Sequence, residues 1–110
     1  MKILDGGALM LVHGKVEGDK GIISLSGRFD FNRHREFRGA CDPLLENKDV
    51  DVLQVDLGQV DYMDSSALGM LLMLRDKALA ARKTVELINV RGAVRQVLEI
   101  ANFGKLFPIL

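Results

Sequence analysis

Apolar positions along this chain change period several times, and each change marks an element. In "GIISLSG" (21–27), Ile23 and Leu25 alternate with Ser24 and Ser26. A period of two puts those apolar side chains on one covered face of a strand. Residues 10–16 read as a second strand. The link between the two, "EGDKG", has Gly18 and Gly21 flanking Asp19 and Lys20, as in a tight hairpin turn. The period then lengthens: Phe37, Ala40, Cys41, Leu44 and Leu45 recur at helical spacing, with Asn32 able to cap the start. Pro43 removes a backbone donor and disfavours helix at Asp42. Either the helix bends there, or it restarts with Asp42 as cap and Pro43 at its first position.

In "VDVLQVDLG" (50–58), Val50, Val52, Leu53, Val55 and Leu57 are nearly continuous. That density suits a central strand covered on at least one face. "DYMDSSALGMLLMLRDKALAARK" (61–83) predicts a long helix with Leu68, Leu71, Leu72 and Leu79 on one stripe. "TVELINV" (84–90) is a strand rich in β-branched residues. "GAVRQVLEIAN" (92–102) is an amphipathic helix with Val94, Val97, Leu98 and Ala101 on one stripe and Asn102 at its C-cap. "GKLFPIL" (104–110) suits a short closing edge, since Pro108 cannot donate to a ladder. The order β-β-α-β-α-β-α predicts an α/β fold. Its mixed sheet of four to five strands starts with an antiparallel hairpin, continues in parallel with right-handed crossovers, and packs with three to four helices. Neither an internal repeat nor a low-complexity linker interrupts it.

Composition narrows the function classes. A chain of 110 residues holds one core, so residues 1–110 read as a single domain. Fifteen basic residues balance 15 acidic ones, which argues against broad binding to nucleic acid or anionic membrane. Tryptophan is absent and aromatics are few, so a base-stacking surface is not expected. The lone Cys41 cannot form an internal disulfide and fits a reducing cytoplasm. "MKILDGGALM" has one lysine and a broken apolar run, unlike a signal peptide. The longest apolar stretch, 67–74, falls far short of the ~20 residues that span a bilayer. A soluble cytoplasmic protein is expected.

The segment "VDLGQVDYMDSSALGMLLMLRDKA" resembles the signature of the STAS domain family, in particular the bacterial anti-sigma factor antagonists. That signature is a strand ending in an acidic or amide residue, a short loop, then Asp-Ser-Ser or Asp-Ser-Thr opening a helix. "ISLSGRFDF" is similar to the family's second strand with its Gly-x-x-Asp, "TVELINVRGAVRQVLEIANF" to the fourth strand and last helix, and "LFPIL" to the usual ending. The resemblance covers roughly residues 10–110, and the combination is far more specific than any one motif. It implies that Ser65 takes the place of the phosphorylated serine, with Ser66 a positioning neighbour. Asp30 matches the acidic residue after the second strand and Asp56 the polar residue ending the third, both at the sheet end that carries Ser65. Two departures stand out: Ala67 where many members have glycine, and Arg91-Gly92 in place of a common Ser-Pro.

The chemistry suits those residues. If Asp64 caps the helix, Ser65 and Ser66 lie in its first turn, beside unpaired N–H groups and the positive end of the helix dipole. A phosphate on Ser65 would bring nearly two negative charges toward Asp64, and toward Asp30, Asp56 or Asp61 if the fold gathers them. The resemblance implies a partner that is both anti-sigma factor and serine kinase, a PP2C-type phosphatase that reverses the step, and a monomer without cofactor or metal. The alternatives are a regulatory STAS subunit of a transporter or lipid-transport complex, and a nucleotide-binding STAS module. Met70, or Leu74, is the expected exposed apolar contact on the second helix. Arg28, Arg33, His34, Arg35 and Arg38 form a basic cluster that reads first as a solvated helix face and second as a docking patch for an acidic partner or a nucleotide phosphate site. An enzyme is not expected: "MDSSALG" lacks the Gly-x-Ser-x-Gly elbow, and no histidine follows it.

Overall fold

Residues 11–110 are described by the structure, a computed structural model. The expected strand start at Met10 and the reading of the first ten residues lie outside the described residues. β1 (Leu11–Glu17) and β2 (Lys20–Phe29) pair antiparallel, Leu11 opposite Ser26 and Glu17 opposite Lys20. The turn between them works because Gly18 takes φ +62, a conformation that a side chain disfavours. β2 then pairs in parallel with β3 (Val52–Met63), and β3 in parallel with β4 (Thr84–Ile88), giving the order β1-β2-β3-β4. α1 (His34–Glu46) connects β2 to β3, and α2 (Ser65–Ala80) connects β3 to β4. α3 (Gly92–Ile100) follows β4 and packs beside β3. The chain end adds one bridge outside β4: Leu87 N–H donates to the Pro108 carbonyl and Leu110 N–H to the Leu87 carbonyl. Pro108 serves there only as an acceptor, as its missing N–H requires.

The core lies between the sheet and the pair α1 and α2. Ile23, Phe29, Leu53, Val55 and Leu87 are fully enclosed from the sheet, and Phe37, Cys41 and Leu71 meet them from the helices. Burying each large side chain contributes about 1.5–3 kcal/mol. The Phe29 and Phe37 rings pack 5.1 Å apart, joining β2 to α1 just below the sheet end that carries the Asp-Ser-Ser motif.

Several local expectations are corrected. Asp30, not Asn32, caps the entry to α1: its carboxylate accepts from Asn32 N–H at 3.0 Å and starts a 3-10 turn over Phe31–Arg33. Asp30 is extended and can aim its carboxylate at the turn, whereas Asn32 is already inside it. The helix neither restarts at Pro43 nor takes Asp42 as a cap; α1 runs through it. The carbonyl that Pro43 cannot bond belongs to Gly39, and both residues lie on the exposed face, where water can serve it. On α2 the buried stripe is Ala67, Met70, Leu71, Leu74 and Ala78, while Leu79 is 52% exposed. The first half of α2 is apolar nearly all round, so its composition does not select the inner face; packing on β3, β4 and α1 does. The C-cap of α3 is Ala101 and not Asn102, which follows it and turns left-handed at φ 60.

Candidate functional site

The largest surprise is the length of β3. It passes Leu57 and Gly58, where a loop is expected, and runs on to Met63. Two register shifts against β2 make this extension. Ser24 pairs with Asp56 and Ser26 with Gln59, then Gly27 with Val60 and Arg28 with Tyr62, so β3 carries an extra residue at each shift. Such bulges bend a strand and re-aim its side chains. Asp56 shapes the first: its carboxylate accepts from Gly58 N–H at 2.9 Å. Gly58 fits closely there, since a Cβ would come within 3.1 Å of Asn89 Cβ and 3.2 Å of the Asp56 carboxylate and would press both aside. Asp61 is the extra residue of the second and is exposed. At Gly27 the opposing strand takes φ 92, available to glycine at little cost.

After the second bulge Phe29 stands opposite Met63, so the residues that follow, Asp30 and Asp64, leave the same end of the sheet side by side. Asp64 is extended, with φ −120 and ψ −173, and its Oδ1 accepts from Ser66 N–H at 3.0 Å and Ala67 N–H at 3.2 Å. It is the N-cap of α2 and serves two donors of the first turn, of which Ala67 N–H also reaches the Asp64 carbonyl at 3.1 Å. Ser65 is the first residue of α2 and is exposed, so its hydroxyl is open to an attacking or modifying group. Ser66 is half-buried, and Ala67 is fully enclosed beneath them.

The structure therefore brings Asp30, Asp61, Asp64, Ser65 and Ser66 to one end. It does not bring Asp56 there. Asp56 pairs with Ile88, the last residue of β4, and lines a separate surface cleft with Gly58, Asn89 and Arg91. Nor is Met70 an exposed contact: it is 5% exposed and Leu74 3%, whereas Met73 is 42% exposed. Met70 faces Cys41 and Leu45 across the α1–α2 seam because the stripe is rotated relative to the leucine pattern. The basic cluster is divided: Arg28 belongs to β2, Arg33 to the 3-10 turn, and His34, Arg35 and Arg38 to α1. Arg91, one of the two departures from the family pattern, precedes α3 and donates to the Gly58 carbonyl at 2.9 Å, tying that helix start to the first bulge.

Two further groups stand at this sheet end: Arg28, expected only as part of the basic cluster, and Phe31, which the sequence pattern did not single out. Arg28 lies over the Tyr62 ring, its guanidinium carbon 4.0 Å from the centroid, with Nε 3.7 Å from Asp30 Oδ2. Phe31, held outward by the Asp30-capped turn, is 69% exposed and stacks on His34 with centroids 6.1 Å apart. An arginine after Gly27 and an aromatic after Asp30 are visible in the chain, but their placement depends on the bulges. Among the described residues no helix is long and apolar enough to cross a membrane.

A parallel sheet end at which a capped, exposed serine follows the central strand defines a STAS-type domain. Residues 13–109 match the family described as "Mlab, STAS domain". A STAS-domain containing protein of Pseudomonas aeruginosa (strain UCBPP-PA14) is 43% identical over 93 residues, covering 84% of this chain and 90% of that one. This chain belongs to the STAS-domain family. Among solved structures, an anti-sigma factor antagonist from Mycobacterium paratuberculosis superposes with a TM-score of 0.83 at 18% identity, over 96% of this chain and 89% of that one. The Bacillus cell fate determinant SpoIIAA in its phosphorylated form gives 0.68 at 19% identity, over 93% and 91%. At such identities the two structures establish the shared fold.

Proposed function

We propose that this chain is an anti-sigma factor antagonist in a partner-switching pathway. Unmodified, it binds an anti-sigma factor that is also a serine kinase; phosphorylation of Ser65 ends that complex, and a PP2C-type phosphatase restores it. The observation that carries the reading is Ser65 itself: exposed, first in α2, and beside a carboxylate already engaged as the helix cap. Phosphorylation would add about −1.5 to −2 charges next to Asp64, with Asp30 and Asp61 at the same end. A partner surface fitted to the uncharged loop would then meet like-charge repulsion and the cost of desolvating a dianion. Catalysis in this scheme belongs to the partners. The phosphorylated form of a protein of this fold supports the reading.

The test uses the cognate kinase with ATP, and mass spectrometry to map the modified residue. Phosphate is expected on Ser65 and absent from Ser65→Ala; undiminished phosphorylation of Ser65→Ala would sink the assignment. In pull-downs, Ser65→Ala is expected to retain the kinase and Ser65→Asp to lose it. Equal capture by both would favour the second reading, a regulatory STAS subunit of a transporter or lipid-transport complex. The matching family's description names Mlab and not an antagonist, which keeps that reading in view.

A further inference from the structure

The two bulges of β3 do more than lengthen it. They place Tyr62 opposite Arg28, and so set a guanidinium on an aromatic ring one strand away from the residues that lead into Ser65. Neighbouring strands lie about 4.8 Å apart, and Ser65 follows Tyr62 by three residues. Arg28 is held loosely. Its side chain is 53% exposed, and its Nε lies 3.7 Å from Asp30 Oδ2, well beyond the ~2.7–2.9 Å of a charge-assisted hydrogen bond. Asp30, by contrast, is only 15% exposed and keeps its other oxygen on Asn32 N–H. The acid thus has a fixed task in the turn, while the arginine is held only by the Tyr62 ring and a long pair with Asp30. A phosphoryl group offers that arginine three strong acceptors and a geometry its planar fork matches.

On the reading that Ser65 is phosphorylated, we infer that Arg28 is the residue that receives the phosphoserine. Its guanidinium leaves the Tyr62 ring and the Asp30 carboxylate and pairs with the phosphoryl oxygens. Modification then changes the docking surface twice. It adds negative charge at Ser65, and it withdraws a cation from the face of Tyr62, which becomes a bare ring. The other charged groups at this sheet end are Asp30 and Arg33 from the segment after β2, His34 from α1, Asp61 from β3, and Asp64 from the cap. The three carboxylates oppose a dianion, which makes one exposed arginine the more consequential.

Phosphoserine encoded genetically at position 65 tests this without any kinase, so a failure here is separable from a failure of the switch reading. Phosphorus NMR titration of the intact phosphoprotein reads the second phosphate ionisation. A nearby cation lowers that pKa, so the parent is expected to titrate at least about 0.5 units below Arg28→Ala. Arg28→Lys should fall between them, and Arg35→Ala, which removes an exposed arginine of α1, should match the parent. Tyr62 ring-proton shifts should respond to phosphorylation in the parent and not in Arg28→Ala. Equal pKa values in the parent and Arg28→Ala would overturn the inference. So would an equal displacement by Arg35→Ala, which would reduce the effect to bulk charge.

Discussion

Asp64 carries the most informative single substitution, because its two roles separate. Its carboxylate accepts from Ser66 and Ala67 N–H groups at 3.0 and 3.2 Å, in a partly buried position at the start of a 16-residue helix. Asp64→Ala removes both acceptors, and loss of such a cap costs about 0.5–2 kcal/mol. Two bonded donors above a fully enclosed Ala67 place the expectation in the upper half of that range, about 1–2 kcal/mol. Asp64→Asn keeps an acceptor in the same place and loses only the attraction of a negative charge to the helix N-terminus, about 0.3–1 kcal/mol. In a domain of this size 1 kcal/mol corresponds to about 4–8 °C in Tm, so Asp64→Ala should melt roughly 4–16 °C lower. Urea denaturation followed by far-UV circular dichroism gives the free energies, and calorimetry gives the Tm. Asp64→Ala within about 0.5 kcal/mol of the parent would refute the capping argument. Asp64→Asn as damaging as Asp64→Ala would show that charge, and not the paired hydrogen bonds, holds the helix start.

Other substitutions probe the frame behind the site. Lys83 is 6% exposed, and its Nζ donates to the carbonyls of Asn47, at 2.7 Å, and Val50. Lys83→Met should therefore strand both and cost about 2–3 kcal/mol by urea denaturation, a loss under 1 counting against it. Gly58→Ala should cost about 1–3 kcal/mol, because both Asn89 and Asp56 must shift to admit the methyl, and two-dimensional NMR should show the Tyr62 region shifting as the bulge deforms. Burial, reinforced by Asp42 and partly offset by Lys77, pushes the Cys41 thiol from 9.0 up to about 12. The folded state thus favours the protonated thiol. The stability this contributes is fully present below about pH 9 and lost as pH rises toward about 12, where Cys41→Ala should show a shallower decline. Native Cys41 should also resist thiol reagents that label the urea-unfolded chain.

Local pattern and tertiary structure divide the account of this chain between them. The hairpin turn, the Asp64 cap and the element order are legible because each depends on neighbours a few residues apart: alternation for β2, helical spacing for α1 and α3, an Asp-Ser-Ser before an apolar run for α2. The site was legible to the same extent. Asp64 as cap and Ser65 in the first turn of the helix follow from adjacent residues, and Asp30 at the same sheet end is what the family resemblance implies. What the pattern could not settle was non-local. Several faces of α2 are apolar, so only the packed sheet and α1 decide that Met70 goes in and Met73 stays out. The run after Leu57 has too little apolar alternation to announce a strand, yet β2 pairs with it once two bulges absorb the mismatch in length. Those bulges leave Asp56 away from the Ser65 end, give it the task of shaping Gly58, and set Arg28 over Tyr62. Sequence alone therefore determined that a serine opens a capped helix, because capping is a property of adjacent residues. Only the tertiary structure decided which charges share that end of the sheet, because strand register is fixed by partners distant in the chain.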